Sequence, residues 1–439
     1  MSAAAQDAVP PSGDAAQGAH APLGLWTAIA LVVGTMIGSG VFVLPATLAP
    51  YGAASLLGWG LSLGGSICIA LVFAWLATGI TRSGGAYAYA HEAFGGRVGF
   101  IVAWSYWVCV WVGNAALAVA FAGSLGAVFP GLVATPARGA LCAFAALAVS
   151  TGINVVGVRE TGRSQILLTL LKFLPLALFA LVGLMYVRVG DYVPVNPSGQ
   201  SAWQIASTVG ALTMWAFLGL EAASVPSGSI RDPARNVPRA TIIGVLLAGL
   251  ATMLACTVVI GLLPREQLQA SAAPMADAAR RLWGSWAGTG VGIVAAISCF
   301  GALNGLVMLQ GQTSLAGARD RVFPKVFARL DRDGTPAVGI VIGSVLASLL
   351  MLTNYSKSLV GLFTFSALLS TAACLLPYAF CAAAWWKLHP SAPVLRRAVA
   401  IIAFGYSLWA IAGTGKEPLF WGAALLAAGL PVYWWSRRA

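Results

Sequence analysis

"GTMIGSGVF", residues 34–42, lies inside an apolar run from about Leu23 to Ala49. Three glycines, a threonine and a serine occupy the point where a membrane helix is expected to be most regular. In hydrocarbon every backbone N–H and C=O must be paired, so irregular backbone survives only inside protein or beside a water-filled cavity. Gly38, Ser39 and Gly40 would let the run unwind near its middle. The freed amides, with the N-terminus of the following half-helix, then form an anion site. Gly34, Gly38 and Gly40 also fit a small-residue face for helix packing. The segment alone leaves both readings open.

The rest of the chain says what solvent this run meets. Of 439 residues, 59% are hydrophobic and 9% charged, and the mean hydropathy is +0.85. That composition excludes a soluble domain and predicts an all-α polytopic membrane protein. Runs long enough to span a bilayer recur about twelve times: roughly 24–48, 53–79, 98–129, 139–157, 165–187, 203–226, 240–263, 284–314, 336–353, 359–385, 398–414 and 418–435. Such close spacing leaves no room for a soluble catalytic domain. Of the 25 Lys and Arg, Arg138, Arg188, Arg265, Arg280, Arg281, Lys357 and Lys416 fall in outer loops if the N-terminus is cytoplasmic. Lys172 falls within a span, and the remaining seventeen lie on the inner face. The bias follows the positive-inside rule and places both termini in the cytoplasm, as expected of a multi-pass protein of a bacterial inner membrane. It also accounts for the +12 net charge without nucleic acid. The first 23 residues, rich in Ala, Gly and Pro and without Lys or Arg, read as a disordered cytoplasmic tail rather than a secretory signal. The seven cysteines all fall in predicted spans without CxxC spacing, so small core residues are expected, neither disulfides nor metal ligands.

A second interruption decides what the first one does. "TMWAFLGLEAAS", residues 213–224, again sets a glycine among apolar residues, beside Trp215 and Glu221. A charge near the bilayer centre costs about 2.5–3.5 kcal/mol on insertion scales, so Glu221 needs a reason. The interruptions fall in the first and sixth of about ten core spans, corresponding positions of two five-helix halves, as in inverted-repeat transporters. That placement favours unwinding over simple packing.

"GTMIGSGVFVLPA", "SGGAYAYAHEAFG", "WAFLGLEAAS" and "DPARNVPRA" together resemble the amino acid–polyamine–organocation (APC) superfamily. The nearest likeness is to its basic amino acid/polyamine antiporters, the arginine/agmatine antiporters above all, and it runs from about Leu23 to the end. The resemblance implies a 5+5 inverted repeat of LeuT/APC type with helices 1 and 6 broken at the midplane. It also implies two accessory C-terminal helices, no cofactor and a possible homodimer. On this chain the tail is then 1–23, the core 24–385 (repeats about 24–190 and 203–385), and the accessory part 386–439. The substrate carboxylate is implied to bind at Met36, Ser39 and Gly40, which agrees with the anion site above. Its amine is implied to meet carbonyls around Trp215, Ala216 and Leu218. Trp215 would cover the substrate and attract an amine or guanidinium through cation–π contact; interfacial anchoring is the other reading, but the residue lies mid-span.

Cys109, Val110, Asn114 and Leu117, in "YWVCVWVGNAAL", match the family's side-chain pocket, as does Ser370. For Asn114 a plain helix–helix hydrogen bond is equally open. Tyr106, Glu221 and Tyr378 match the inner gate, and Glu221 is the candidate for proton sensing. Two residues depart from the antiporters: Leu306 stands where they carry a tryptophan, and Lys172 lies roughly 10–13 Å into its span. Lys172 resembles a lysine that replaces sodium in other family branches, or else it reaches the inner headgroups.

The function these readings imply is secondary active amino acid transport by alternating access, exchanging a basic amino acid for its decarboxylated amine. The departures favour an alternative, a proton-coupled or facilitative permease or exporter of neutral amino acids. No G-x-x-x-x-G-K-[ST] loop is present for a nucleotide-driven pump. His20, His91 and His389 lie outside the spans and no HExxH occurs, so an enzyme is not expected. A channel or receptor shares the binding site and differs in showing no counterflow.

Overall fold

The structure is a computed structural model and describes residues 23–80, 84–156, 162–224, 230–332, 334–354 and 357–438. The expected tail over 1–23 lies outside these except for its last residue. Sixteen α-helices follow among the described residues. The first eight are α1 (Leu25–Met36), α2 (Gly40–Leu48), α3 (Ser55–Gly79), α4 (Ala86–Phe94), α5 (Gly96–Gly126), α6 (Pro136–Val156), α7 (Gly162–Gly183) and α8 (Ala202–Met214). The others are α9 (Pro233–Leu262), α10 (Arg265–Ala270), α11 (Pro274–Trp283), α12 (Ser285–Arg319), α13 (Ala337–Thr353), α14 (Leu359–Leu388), α15 (Val394–Gly413) and α16 (Lys416–Arg438). There is no strand among the described residues, only one parallel bridge between Leu23 and Ile230.

Each of the twelve expected apolar runs meets a helix or a broken pair. Among the described residues, eight stretches are long and apolar enough to cross a membrane by length and composition, the first of them the continuous run Leu25–Gly79 that holds α1, α2 and α3. Thr169–Gly183 and Ala337–Thr353 are shorter apolar helices. Two contacts join helix ends that the sequence reads as lying on one side. Lys357, before α14, pairs with Glu417, on α16, at 3.1 Å, and both belong to loops read as outer. Arg231 donates its amide to Leu23 O at 2.9 Å, and both lie at the end read as inner.

Helices cluster in two groups around α14. On one side α1, α3, α8 and α9 pack together; on the other, α5 packs with α6 and α12, and α13 lies against α6 and α12. α5 is buried along almost its whole length, whereas α15 and α16 turn most of their residues outward. Leu and Val cannot drive helix association in lipid, where tails are as apolar as they are, so small residues and interhelical hydrogen bonds must. Both devices are present. Ser62 of α3 bonds Gly210 O and Thr213 Oγ1 of α8 at 2.9 and 2.7 Å, and Tyr406 of α15 donates to Ser62 at 3.0 Å. Asn154 of α6 donates to Asn304 Oδ1 of α12 at 2.8 Å. Gly58 of α3 lies so close to α8 that a Cβ there would sit 2.8 Å from the backbone carbon of Val209. Gly58→Ala is therefore expected to destabilise the protein by about 1–3 kcal/mol through overpacking. Thermal unfolding in detergent reads this directly, and a wild-type melting temperature would refute the close packing.

Candidate functional site

α1 stops at Met36 and α2 starts at Gly40, with Ile37, Gly38 and Ser39 bent between them. The break is one residue earlier than the glycine pattern suggests, since Gly40 already opens the second half-helix. The first two amides of α2, those of Gly40 and Val41, have no carbonyl within the helix to bond and point toward the break. Ser39 O caps the turn by accepting from Phe42 N and Val43 N, each at 3.1 Å. On the other side, Ser298 of α12 donates to Ile37 O at 3.4 Å.

The sixth run breaks in step with the first. α8 ends at Met214, Trp215–Phe217 form one tight turn, and Leu218 is extended. Gly219 then adopts φ +98°, a left-handed conformation that L side chains rarely take. Beyond it, residues 220–224 continue in turns closed by Ala222 N to Gly219 O at 3.0 Å and Ser224 N to Glu221 O at 2.7 Å.

The two breaks touch. Thr35 donates to Gly219 O at 3.3 Å, and Trp215 Nε1 donates to Ser39 Oγ at 3.2 Å. A Cβ on Gly40 would lie 3.3 Å from Trp215 Cδ1 and 3.4 Å from Ala216. A Cβ on Gly219 would lie 3.1 Å from Thr35. Glycine at both places is what allows two unwound backbones to approach this closely.

α5, α12 and α14 close the remaining sides. A Cβ on Gly113 would meet Leu306 at 3.1 Å, Ser370 Oγ at 3.3 Å and the Trp215 ring at 3.5 Å, so these four converge. Ser370 donates to Cys109 O at 2.7 Å and lies 3.4 Å from Cys109 Sγ. Val110 is buried on the same helix, and Leu117 stands 3.4 Å from a Cβ placed on Gly38. Phe363 meets Trp215 edge to face at 6.1 Å. Asn114 donates from Nδ2 to Gln310 Oε1 at 2.8 Å, and Gln310 passes the chain to Ile340 O and Ser344. The helix–helix bond left open for Asn114 is therefore present. Its Oδ1, however, is buried with no hydrogen-bond partner among the described residues.

Glu221 is 3% exposed. Tyr106 donates to its Oε1 at 2.9 Å and Tyr378 donates to its Oε2. Phe73 packs edge to face on Tyr378. Lys172 is buried, 7% exposed, with Nζ 3.5 Å from Gly34 O in the last turn of α1 and 3.5 Å from the Cβ position of Gly301 on α12. An ammonium there faces the negative end of the α1 half-helix.

Sequence reasoning named most of these residues and missed Thr35, Gly113, Ser298 and Gln310. Thr35 stands inside the opening stretch, and Gln310 carried the same signal as Asn114, a polar side chain within a span. No group of three or more His, Cys, Asp or Glu able to hold a metal occurs among the described residues.

Two interrupted helices that meet inside a bundle of apolar helices are the arrangement seen in inverted-repeat transporters. The chain belongs to the amino acid permease family, whose model matches residues 23–432. It is similar to the cadaverine/lysine antiporter of Escherichia coli (33% identity, covering 75% of this chain and 74% of the relative). It is also similar to a putative arginine/ornithine antiporter of Bacillus subtilis (30%, 93% and 96%) and the putrescine transporter of Escherichia coli (28%, 92% and 93%). In overall shape it matches the crystal structure of the Eremococcus coleocola manganese transporter, with a TM-score of 0.61 over 94% of this chain and 93% of that one. At 11% identity that likeness shows the fold alone.

Ser39→Ala removes the acceptor of the Trp215 indole and leaves a buried N–H unpaired. A loss of about 1–3 kcal/mol is expected, seen as a lower melting temperature with weakened substrate binding. Unchanged values for both would separate Ser39 from the junction.

Proposed function

We propose that the protein is a secondary active transporter that exchanges a basic amino acid for its decarboxylated amine. The observation that carries this reading is the contact of the two breaks, which sets the first amides of α2 close to the carbonyls of the second break. The substrate carboxylate meets the amides at Ser39 and Gly40 beside Met36, as an anion at a helix N-terminus. The α-amino group meets the carbonyls of Trp215, Ala216 and Leu218. The side chain runs between Leu306 and Ser370 toward Cys109, Val110 and Leu117. Its terminal cation finds the Trp215 ring face and Asn114 Oδ1, a buried acceptor that such a donor would satisfy. The relatives, a cadaverine/lysine antiporter and a putative arginine/ornithine antiporter among them, support the class, and arginine with agmatine is one pair within it.

Glu221 joins Tyr106 on α5 and Tyr378 on α14 to the sixth span, so it ties the moving part to its surroundings at the inner end. An ionised carboxylate accepts from both phenols; a protonated one turns one oxygen into a donor, so one phenol must reverse its bond and the charge-assisted clasp weakens. Proton binding and inward opening are thereby coupled. The termini face the cytoplasm in this scheme, the ten-helix core spans 24–385, and α15 and α16 offer the outward surface for a homodimer.

A second reading has its own support. Leu306 makes the pocket wall aliphatic, and Lys172 holds an ammonium against α1 where a coupling cation would act. Both suit a proton-coupled or facilitative permease of neutral amino acids. Proteoliposomes loaded in turn with arginine, agmatine, lysine, cadaverine and leucine separate the two. Uptake of labelled basic amino acid that requires internal amine is expected, and leucine counterflow without it would overturn the exchange reading. In the same vesicles Glu221→Gln is expected to slow exchange about tenfold, the equivalent of roughly 1.4 kcal/mol, and to flatten its pH dependence. A full pH response in that variant would remove Glu221 from coupling.

A further inference from the structure

Gln310 of α12 stands behind Asn114 of α5, one turn along from Leu306, and both amide side chains are fully buried. Its Nε2 donates to Ile340 O at 2.6 Å and to Ser344 Oγ at 3.0 Å, both on α13, and its Oε1 accepts from Asn114 Nδ2 at 2.8 Å. We propose that Gln310 is a positioning residue for substrate selection. It holds the Asn114 amide with Oδ1 turned to the substrate as an acceptor, so side chains ending in a hydrogen-bond donor are preferred to those ending in a methyl group. Resting on the exchange reading above, this role adds the residue that sets its selectivity.

The orientation of both amides follows from one backbone group. A carbonyl can only accept, so Ile340 O requires the NH2 end of the Gln310 amide. That leaves Oε1 for Asn114, and an amide oxygen can only accept as well. Asn114 must therefore give Nδ2 to Gln310, and its own oxygen is the end left over. Ser344 does not decide the matter, since a hydroxyl takes either part; the carbonyl does.

The oxygen left over is the one with no hydrogen-bond partner among the described residues. A buried acceptor is normally served, and the turn of α5 that carries this one borders the site. Gly113, the preceding residue, faces Leu306, Ser370 and the Trp215 ring. Leu117, one turn on, stands 3.4 Å from a Cβ placed on Gly38 in the first break. An ammonium or guanidinium donates to such an oxygen, whereas a methyl group leaves it bare, at the full cost of its lost water. Turned over, the Asn114 amide would present its NH2 end and repel a cation.

α13 is shaped to take Gln310. A Cβ on Gly343 would lie 2.7 Å from Gln310 Cδ and Oε1, and one on Gly311 would lie 2.6 Å from the Ile340 side chain. Two glycines on facing helices thus let a side-chain amide of α12 rest on the backbone of α13, where the deciding carbonyl is.

Binding of L-lysine and of L-norleucine, which shares lysine's four-carbon side chain and lacks its ammonium, is measured by calorimetry on purified full-length protein in detergent. Wild type is expected to prefer lysine by about tenfold or more. Gln310→Leu frees the Asn114 amide, so the Kd for lysine should rise about tenfold while that for norleucine changes by less than about twofold. Gly343→Ala alters no polar group and displaces the same amide, so its preference should fall in the same direction. Adding Asn114→Asp to Gln310→Leu should restore the preference for lysine, because a carboxylate presents an acceptor whichever way it turns. An unchanged ratio in the variants, or an equal loss of both ligands, beside an intact wild-type preference would overturn the role of Gln310 and leave the exchange reading standing. A wild type that binds norleucine as well as lysine would overturn both.

Discussion

The structure depends on two stretches of backbone that leave their helices at the same depth and face each other. Inside a bilayer each stretch alone would hold several unpaired N–H and C=O groups, each costing several kcal/mol. Together they settle part of that cost: Thr35 reaches Gly219 O, and the Trp215 indole reaches Ser39. Ser298 of α12 serves Ile37 O. Phe42 N and Val43 N bond Ser39 O, and Leu218 N bonds Trp215 O at 3.4 Å, which leaves the first amides of α2, those of Gly40 and Val41, without a carbonyl in their own helix.

The surrounding architecture follows from keeping that junction narrow. Gly40 and Gly219 let the breaks meet, and Gly113 lets α5 come up to Leu306, Ser370 and the Trp215 ring. A methyl group at any of the three would push apart elements that share the site. The two buried ionisable side chains stand just outside it, each with partners: Glu221 between two phenols, Lys172 against the end of α1. Each links a broken helix to a continuous one. Glu221 ties the sixth span to α5 and α14, and Lys172 on α7 meets α1 and α12.

Much of this was legible from residue order because lipid leaves few alternatives. A glycine–serine cluster or a carboxylate in mid-span has to be explained, and Gly38, Ser39, Gly40, Trp215 and Glu221 stood out for that reason. The placement of both breaks in the first and sixth runs was legible too, as was the antiporter family. Pairings across distant helices were not. Asn114 and Gln310 lie 196 positions apart, and nothing local to either names the other. Gly113 reads as one more small residue until its neighbours are known. Lys172 could be placed in depth by counting residues but not in direction, and its turn toward Gly34 is a tertiary fact. The short helices α4, α10 and α11 lie in stretches too brief or too polar to register as spans.

In the proposed exchange, the site would recognise a charged solute without trapping it. Around the junction the groups offered to carboxylate and amine are backbone dipoles, hydroxyls and an indole, while the carboxylate and ammonium nearby are already engaged. A fixed ion pair with the substrate would be desolvated on closure and would have to be broken in every cycle, and removing one partner of such a pair costs about 3–5 kcal/mol. Dipoles at helix ends are weaker, about 0.3–1 kcal/mol each and up to about 2 when partly buried. Several of them summed can hold a zwitterion, and they can be lost one at a time as the breaks separate. Recognition and release then rest on the same two backbones, which is why the glycines of the first and sixth runs matter more than any single side chain around them.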